Sequence, residues 1–300
     1  MLQVARLAPR LLDDATDNVR TFLTGLAGPE GFLGRDGEPD LYYTVFGLDS
    51  LAALEGADGA STAGGGGEVR GGSIPDLEPW LAGFGGGDSL DLVHLVCLAR
   101  ARTATGLVDQ GLDTMTDRLL GLRRDDGGWA MTDGDEASTS YGTFLAVAAL
   151  QDLGIPIGRP ADAVAFLEGM ALPSGGYALD ARTPVATTPT TAAAVVALRQ
   201  LGGRAPAKAG DYLLGNYHRQ GGFLAADGAP MPDLLSTAVA LHALSVLDAS
   251  PDRLREPLLD FVDSLWTSRG GFYGQWADDV VDVEYTYYGL LALGHLAVMA

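Results

Sequence analysis

Two kinds of apolar segment alternate along the chain. In the first, exemplified by Val164–Met170 and Leu258–Leu265, apolar residues recur every three to four positions and leave one polar face, the pattern of an amphipathic surface helix. In the second, such as Ala238–Leu244 and Tyr287–Leu293, the segment is apolar on all sides and should be a buried helix. Between the two stand Gly127-Gly128-Trp129, Gly175-Gly176-Tyr177, Gly221-Gly222-Phe223 and Gly270-Gly271-Phe272. Glycine permits a tight turn there, and the aromatic ring can fold back onto the helices. Runs of alternating β-branched residues are absent, so strand signals are scarce.

The second type of helix opens on a common frame, with a threonine four residues after the opening position. Asp40…Thr44 and Asp282…Thr286 match directly, Pro232-Asp233…Thr237 keeps the frame, and Thr143 and Thr191 are weaker copies. Successive threonines from Thr143 to Thr286 are 48, 46 and 49 residues apart, and the longer gap after Thr44 leaves room for one degenerate copy around Asp88–Ala99. A period in the high forties implies one helical hairpin stacked on its neighbours. Six hairpins with buried inner helices predict an all-α (α/α)6 toroid, a double-walled ring around a central apolar cavity, with residues 1–300 forming one domain. The N-terminal stretch through Leu23 reads as a capping helix, and Ala57–Ser73 as a flexible Gly-rich surface loop.

Charge narrows the partners. Nineteen Lys and Arg face 39 Asp and Glu, a net charge of −20, which disfavours nucleic acid and anionic lipid because both need a basic face. The single cysteine, Cys97, lies in an apolar helical run and excludes an intramolecular disulfide. No window approaches the roughly 18 uninterrupted apolar residues of a membrane span, and no signal-peptide core is present, so a cytoplasmic location is expected.

The Gly-Gly-aromatic turns, the period and the Pro-Asp-x-x-x-Thr helix starts together resemble the superfamily of protein prenyltransferase β-subunits and squalene-type terpenoid cyclases. Gln220-Gly221-Gly222-Phe223 looks like a shortened form of the cyclases' Gln-Trp motif. The resemblance covers roughly residues 17–296 and implies that the inner-helix starts face the mouth of an isoprenoid-sized cavity. Its substrate-binding wall would be aromatic in the first, third and sixth units, through Tyr42, Tyr43, Phe46, Tyr141, Phe144, Tyr285, Tyr287 and Tyr288, with Trp276 from the preceding loop. The opposite wall would be small, through Thr191–Ala194 and Ser236–Ala238. Taken singly, each aromatic reads first as core packing; it is the set of inward positions that implies the cavity.

The chemistry of the superfamily transfers unevenly. The transferases hold zinc with Asp-x-Cys and a later His; here the positions are Asp233, Leu235 and Tyr285, so the thiolate and imidazole are gone and zinc is not expected. The Arg and Lys that would grip diphosphate become Asp227 and Pro230. The resemblance to proton-initiated cyclases, whose motif is Asp-x-Asp-Asp-Thr, fits better at Asp282-Val283-Glu284-Tyr285-Thr286, with Glu284 in the proton-donor position. Such a donor must stay neutral in an apolar pocket; Asp278 and Asp279 would raise its pKa by like-charge repulsion, and the tyrosines would stabilise a carbocation. The candidate catalytic residues are therefore Glu284, Asp282 and Asp233. A plainer assignment is that Asp40, Asp233 and Asp282 are helix N-caps and Glu284 a first-turn acid. The acidic stretch Thr132–Glu136 reads as a solvated loop; Mg²⁺ would enter only with a diphosphate substrate.

Two readings remain in contention. One is an isoprenoid-processing enzyme of the cyclase or prenyltransferase type, with acid-initiated cyclisation favoured over zinc-dependent protein prenylation. The other is a non-catalytic isoprenoid-binding or protein-interaction scaffold that keeps only the fold. Either admits a homodimer or an α-subunit-like partner. The phase of the motifs argues against a carbohydrate-active ring, and a lanthionine-cyclase type lacks its Cys and His ligands.

Overall fold

The computed structural model describes residues 1–55 and 74–299, so the segment Ala57–Ser73 falls outside the described residues. Two short helices, α1 (Leu2–Ala5) and α2 (Pro9–Leu12), and a 3-10 turn at Asp13–Ala15 precede α3 (Thr16–Gly25). The single capping helix expected at this end is thus broken. Pro9 has no amide proton to continue the first turn, and Asp13 adopts a left-handed φ of 47°. After a small antiparallel sheet, β1 (Ala27–Gly28), β2 (Gly31–Leu33) and β3 (Pro39–Asp40), comes α4 (Leu41–Leu54).

Five further hairpins follow. They pair α5 (Glu78–Ala82) with α6 (Leu92–Ala104), α7 (Leu112–Gly121) with α8 (Ser140–Asp152), and α9 (Pro160–Gly169) with α10 (Thr188–Gln200). Then come α11 (Ala207–Gly215) with α12 (Leu234–Val246) and α13 (Arg255–Ser264) with α14 (Val283–Leu296). A two-stranded hairpin, β4 (Ala178–Asp180) and β5 (Thr183–Ala186), stands before α10.

The even-numbered helices from α4 to α14 form the inner wall. Each packs on the next, and α14 packs back on α4, so the ring closes as an (α/α)6 toroid. Their all-round apolar character follows from being covered on both sides by neighbours and outside by the odd-numbered helices.

The recurrent threonine explains itself in this geometry. The backbone N–H of each turn aromatic donates to the threonine hydroxyl of the following inner helix: Phe32 to Thr44, Trp129 to Thr143, Tyr177 to Thr191, Phe223 to Thr237 and Phe272 to Thr286, at 2.9–3.4 Å. In four of these five, the hydroxyl in turn donates to the carbonyl four residues back. All five threonines are fully buried, so the bond satisfies an amide that water cannot reach. Gly270 permits the close turn: its φ is 103°, and the Asn18 carbonyl of α3 lies where a Cβ would be.

The ends of the ring differ. At the end where the inner helices start, long connections such as 122–139, 216–233 and 265–282 carry the Gly-Gly-aromatic turns and surround the mouth of the lumen. At the other, α1 lies against α14 and α4, with the Val4 backbone filling the space that the missing side chain of Gly294 leaves. Ala5 and Ala8 are fully buried there. No helix among the described residues is long and apolar enough to cross a membrane.

Candidate active site

Inside the ring lies a cavity of about 330 Å³, at the lower end of the range in which small-molecule sites fall. Tyr42, Phe46, Tyr141, Phe144, Tyr287 and Tyr288 line one side. Opposite them stand Thr190, Ala192, Ala193, Val196, Leu235 and Val239. Within each inner helix the lining residues lie three or four apart, because successive turns bring every third or fourth residue to the lumen. The aromatic side is a contiguous set: Tyr42 meets Phe46 edge-on at 4.9 Å between centroids, and Phe46 touches both Tyr287 and Tyr288 at 5.5 Å. Tyr141 stacks on Phe144 at 6.3 Å. Cys97 is also in this wall, and burial pushes its thiol up to about 12.

Three predicted wall residues point elsewhere. Trp276 is 40% exposed, packs on Phe261 of outer helix α13 and donates to Ser264 Oγ at 2.9 Å, so it clads the outside of the ring. Tyr285 lies under Arg35, whose guanidinium carbon is 5.2 Å from the ring centroid, and fills the space above Gly274. Tyr43 packs beside Gly34. Residues 43 and 285 follow cavity-facing or rim residues by one position, and one step along a helix turns a side chain by about 100°.

The acids cluster at the mouth, where the sixth unit meets the first. Asp282 is 3% exposed and caps α14 by accepting from Tyr285 N at 2.7 Å, while Arg35 Nε donates to its other oxygen at 2.5 Å. Arg35 also lies 3.6 Å from Asp278. Burial works against the Arg35 charge, but the bond and charge of Asp282 outweigh it and raise its pKa. Glu284, half-buried in the first turn of α14, accepts from the Tyr42 hydroxyl at 2.7 Å. Burial raises its pKa above the usual carboxylate value; the Tyr42 bond opposes this, Asp282 adds to it and Arg35 opposes it.

The predicted source of that shift is thereby corrected. Asp278 faces Arg35 and accepts from Gly274 N, so the nearby charge acting on Glu284 is Asp282. Tyr42 itself is held far above its ordinary value, by burial first and then by Tyr288 and Glu284. The Glu284 carboxyl therefore stands one hydrogen bond behind the cavity wall, with the Tyr42 phenol between it and the lumen.

Asp233 is placed differently. It caps α12, accepting from Ser236 N and Ser236 Oγ at 2.7 Å, and burial raises its pKa. Both oxygens are occupied within its own helix turn. The residues at the transferases' zinc positions do not assemble a donor set: Leu235 faces the cavity, Tyr285 turns to Arg35 and Asp233 is satisfied by Ser236. Among the described residues no three His, Cys, Asp or Glu side chains converge on a point.

Sequence reasoning missed two participants. Arg35 sits in the first unit, 247 residues from its partner Asp282, and no local pattern links them. Arg100, also in the cavity lining, could have been noticed, since arginines on an inner helix, here Arg100 and Arg102 of α6, are a signal in themselves.

A family profile described as the prenyltransferase alpha-alpha toroid domain matches residues 84–165 and 191–299. No curated protein matches the sequence at a significant level. Among solved structures, protein geranylgeranyltransferase-I from Candida albicans, complexed with GGPP, aligns at 18% identity over 82% of both chains, with a TM-score of 0.59. A variant of the type II terpene cyclase MstE from Scytonema, in complex with its substrate geranylgeranyl dihydroxybenzoate, aligns at 12% identity over 98% of this chain and 99% of that one, with a TM-score of 0.63. A protein from Actinoplanes aligns at 15% identity over 94% and 98%, with a TM-score of 0.61. At these identities the likeness is one of fold.

Proposed function

The chain belongs to the prenyltransferase alpha-alpha toroid family, and from that premise we propose that it is an isoprenoid-processing enzyme that starts a cyclisation by protonation. The observation that carries this reading is the Glu284–Tyr42 pair at 2.7 Å on the rim of an aromatic-walled cavity. A carboxyl whose pKa is raised by burial keeps its proton at higher pH than an exposed one and can act as a general acid.

In this reading protonation of Glu284 reverses the hydrogen bond, so that the carboxyl donates to the Tyr42 oxygen; the Glu284 proton then passes to that oxygen as the freed Tyr42 hydroxyl proton adds to the terminal alkene. The alkene π pair forms the new C–H bond, and the adjacent carbon becomes cationic. The next double bond of the chain attacks that carbon, closing a ring and moving the charge along. Loss of a proton from the last cation restores a neutral product. Phe46, Tyr287 and Tyr288 present π faces to the migrating charge. The reading needs no metal. It is supported by the prenyl substrate named for the Scytonema cyclase and by the absence of a cationic clamp at Asp227 and Pro230.

The test is turnover of prenyl substrates by Glu284→Gln, which keeps the shape and the Tyr42 contact but has no proton of comparable acidity. We expect a loss of about 10²–10⁴-fold in rate with substrate affinity retained. If the variant turns over like the parent, Glu284 is a first-turn acid. If the parent binds prenyl compounds without converting any, the protein is a binding scaffold.

A further inference from the structure

The cavity does not end at its apolar walls. Below it, towards the C-terminal ends of the inner helices, a second chamber of about 250 Å³ shares Met1, Arg100, Phe144, Val196 and His242 with the first. Its character is opposite: Asp49, Gln151, Asp152 and Gln200 line it along with Arg100 and His242. Such groups are rare on helices buried among helices, and burying them is costly unless each is paired.

Most are paired, and the exceptions are informative. Arg100 donates through Nη2 to Asp49 at 2.6 Å and lies 3.5 Å from Asp152 through Nε; among the described residues Nη1 has no partner. A third of the Arg100 side chain is exposed although it lies inside the ring, so it faces the lumen. His242 Nδ1 pairs with His295 Nε2 at 3.1 Å, and among the described residues His242 Nε2, at the junction of the chambers, has no partner. Burial holds both imidazoles neutral, down at about 3 and about 4. Arg100 is already committed at this level, since Asp49 and Asp152 both stand against its single guanidinium. Among the described residues lining the two chambers, no unmatched cation waits for an anion.

We infer that the junction of the two chambers is a head-group site, and that the guest is a prenyl chain ending in a neutral hydroxyl or phenol. The chain occupies the apolar chamber, and the head binds Arg100 Nη1 and His242 Nε2. A hydroxyl both donates and accepts, so it satisfies either tautomer of the histidine pair. A diphosphate is disfavoured, because it would bring at least two negative charges beside Asp49 and Asp152 with no spare cation. This rests on the function proposed above, since protonation at the Tyr42 end requires the alkene terminus there and sends the other end down the lumen. Tyr42 and Asp49 are seven positions apart on α4, an axial distance of about 10 Å.

The experiment compares binding of farnesol, farnesene and farnesyl diphosphate to the whole protein by titration calorimetry, with the imidazole resonances of His242 and His295 followed by NMR. We expect farnesol to bind about tenfold more tightly than farnesene, the value of one good buried hydrogen bond, and more tightly than the diphosphate. Farnesol alone should shift the His242 resonances. In His242→Phe the preference for the alcohol should collapse while farnesene affinity is kept; Gln200→Leu, which leaves both proposed contacts in place, should preserve the preference. Equal binding of farnesol and farnesene, or a diphosphate that binds tightest, overturns the head-group site and leaves the proposed enzyme standing. Failure of all three to bind overturns both.

Discussion

The starts of α12 and α14 are built on one plan and used for different ends. Each opens with an aspartate cap, Asp233 or Asp282, and each carries a buried threonine four residues later that accepts from the turn aromatic. In α12 the cap is completed by Ser236 of the same turn, and Leu235 contributes an apolar face to the cavity. In α14 the cap reaches out of its own unit to Arg35, and Glu284 reaches to Tyr42. A helix start satisfied by its own residues is scaffold. One whose polar groups are completed from across the ring's seam concentrates charge, burial and a lumen-facing phenol at a single point. The contrast shows that the shared frame supplies position, while the departures from it supply chemistry.

Four experiments would break or sharpen this contrast. The largest effect is expected for Tyr42→Phe, which removes the hydroxyl between Glu284 and the lumen; turnover should fall about 10²-fold or more, whereas Leu235→Val in the matching part of α12 should change substrate affinity at most. Steady-state kinetics on both variants decides it. Next, Thr237→Val and Thr286→Val should each cost about 1–3 kcal/mol, because each strands a buried amide, that of Phe223 or Phe272. Urea unfolding should give similar losses for the two, since this part of the plan is common; a loss confined to one would show that the starts are not equivalent scaffolds.

Third, Asp282→Asn and Asp233→Asn should part company in the pH profile. Glu284 must be protonated to act, so activity falls as pH rises through its raised pKa. Removing the Asp282 charge removes a cause of that elevation, and the alkaline limb should move to lower pH. Asparagine still caps the helix, so Asp233→Asn should leave the limb in place. The smallest effect is expected for Trp276→Leu: its ring clads the outer face, and rates should match the parent within about twofold, as for surface changes away from a site. A large loss of activity would place Trp276 back among the substrate contacts.

Much of the architecture was legible because it is periodic. The threonine frame marked five of the six inner helices through a hydrogen bond that each unit must remake, and Asp40, Asp233 and Asp282 were recognisable as caps from their places before apolar runs. Direction was less legible. Tyr42 and Tyr43 are neighbours of the same type, yet one faces the lumen and the other Gly34, and only the helical phase relative to the closed ring separates them. Trp276 misled because a loop aromatic carries no phase at all. Arg35 was hidden for another reason: its meeting with Asp282 exists only once the first and last units touch. Arg100, Asp49 and His242 did leave a trace, as polar interruptions of apolar helices, and that trace led to the second chamber.

Closure of the ring also fixes how such a protein can change. An open stack of hairpins may gain or lose a unit at its ends, but here each inner helix is held by two others, and the bore follows from their number. A different guest cannot be accommodated by adding or removing a hairpin without reopening the circle. Adaptation must instead proceed one side chain at a time along the bore, where a residue such as Val196 or Leu235 sets the local width and the six-membered frame stays as it is.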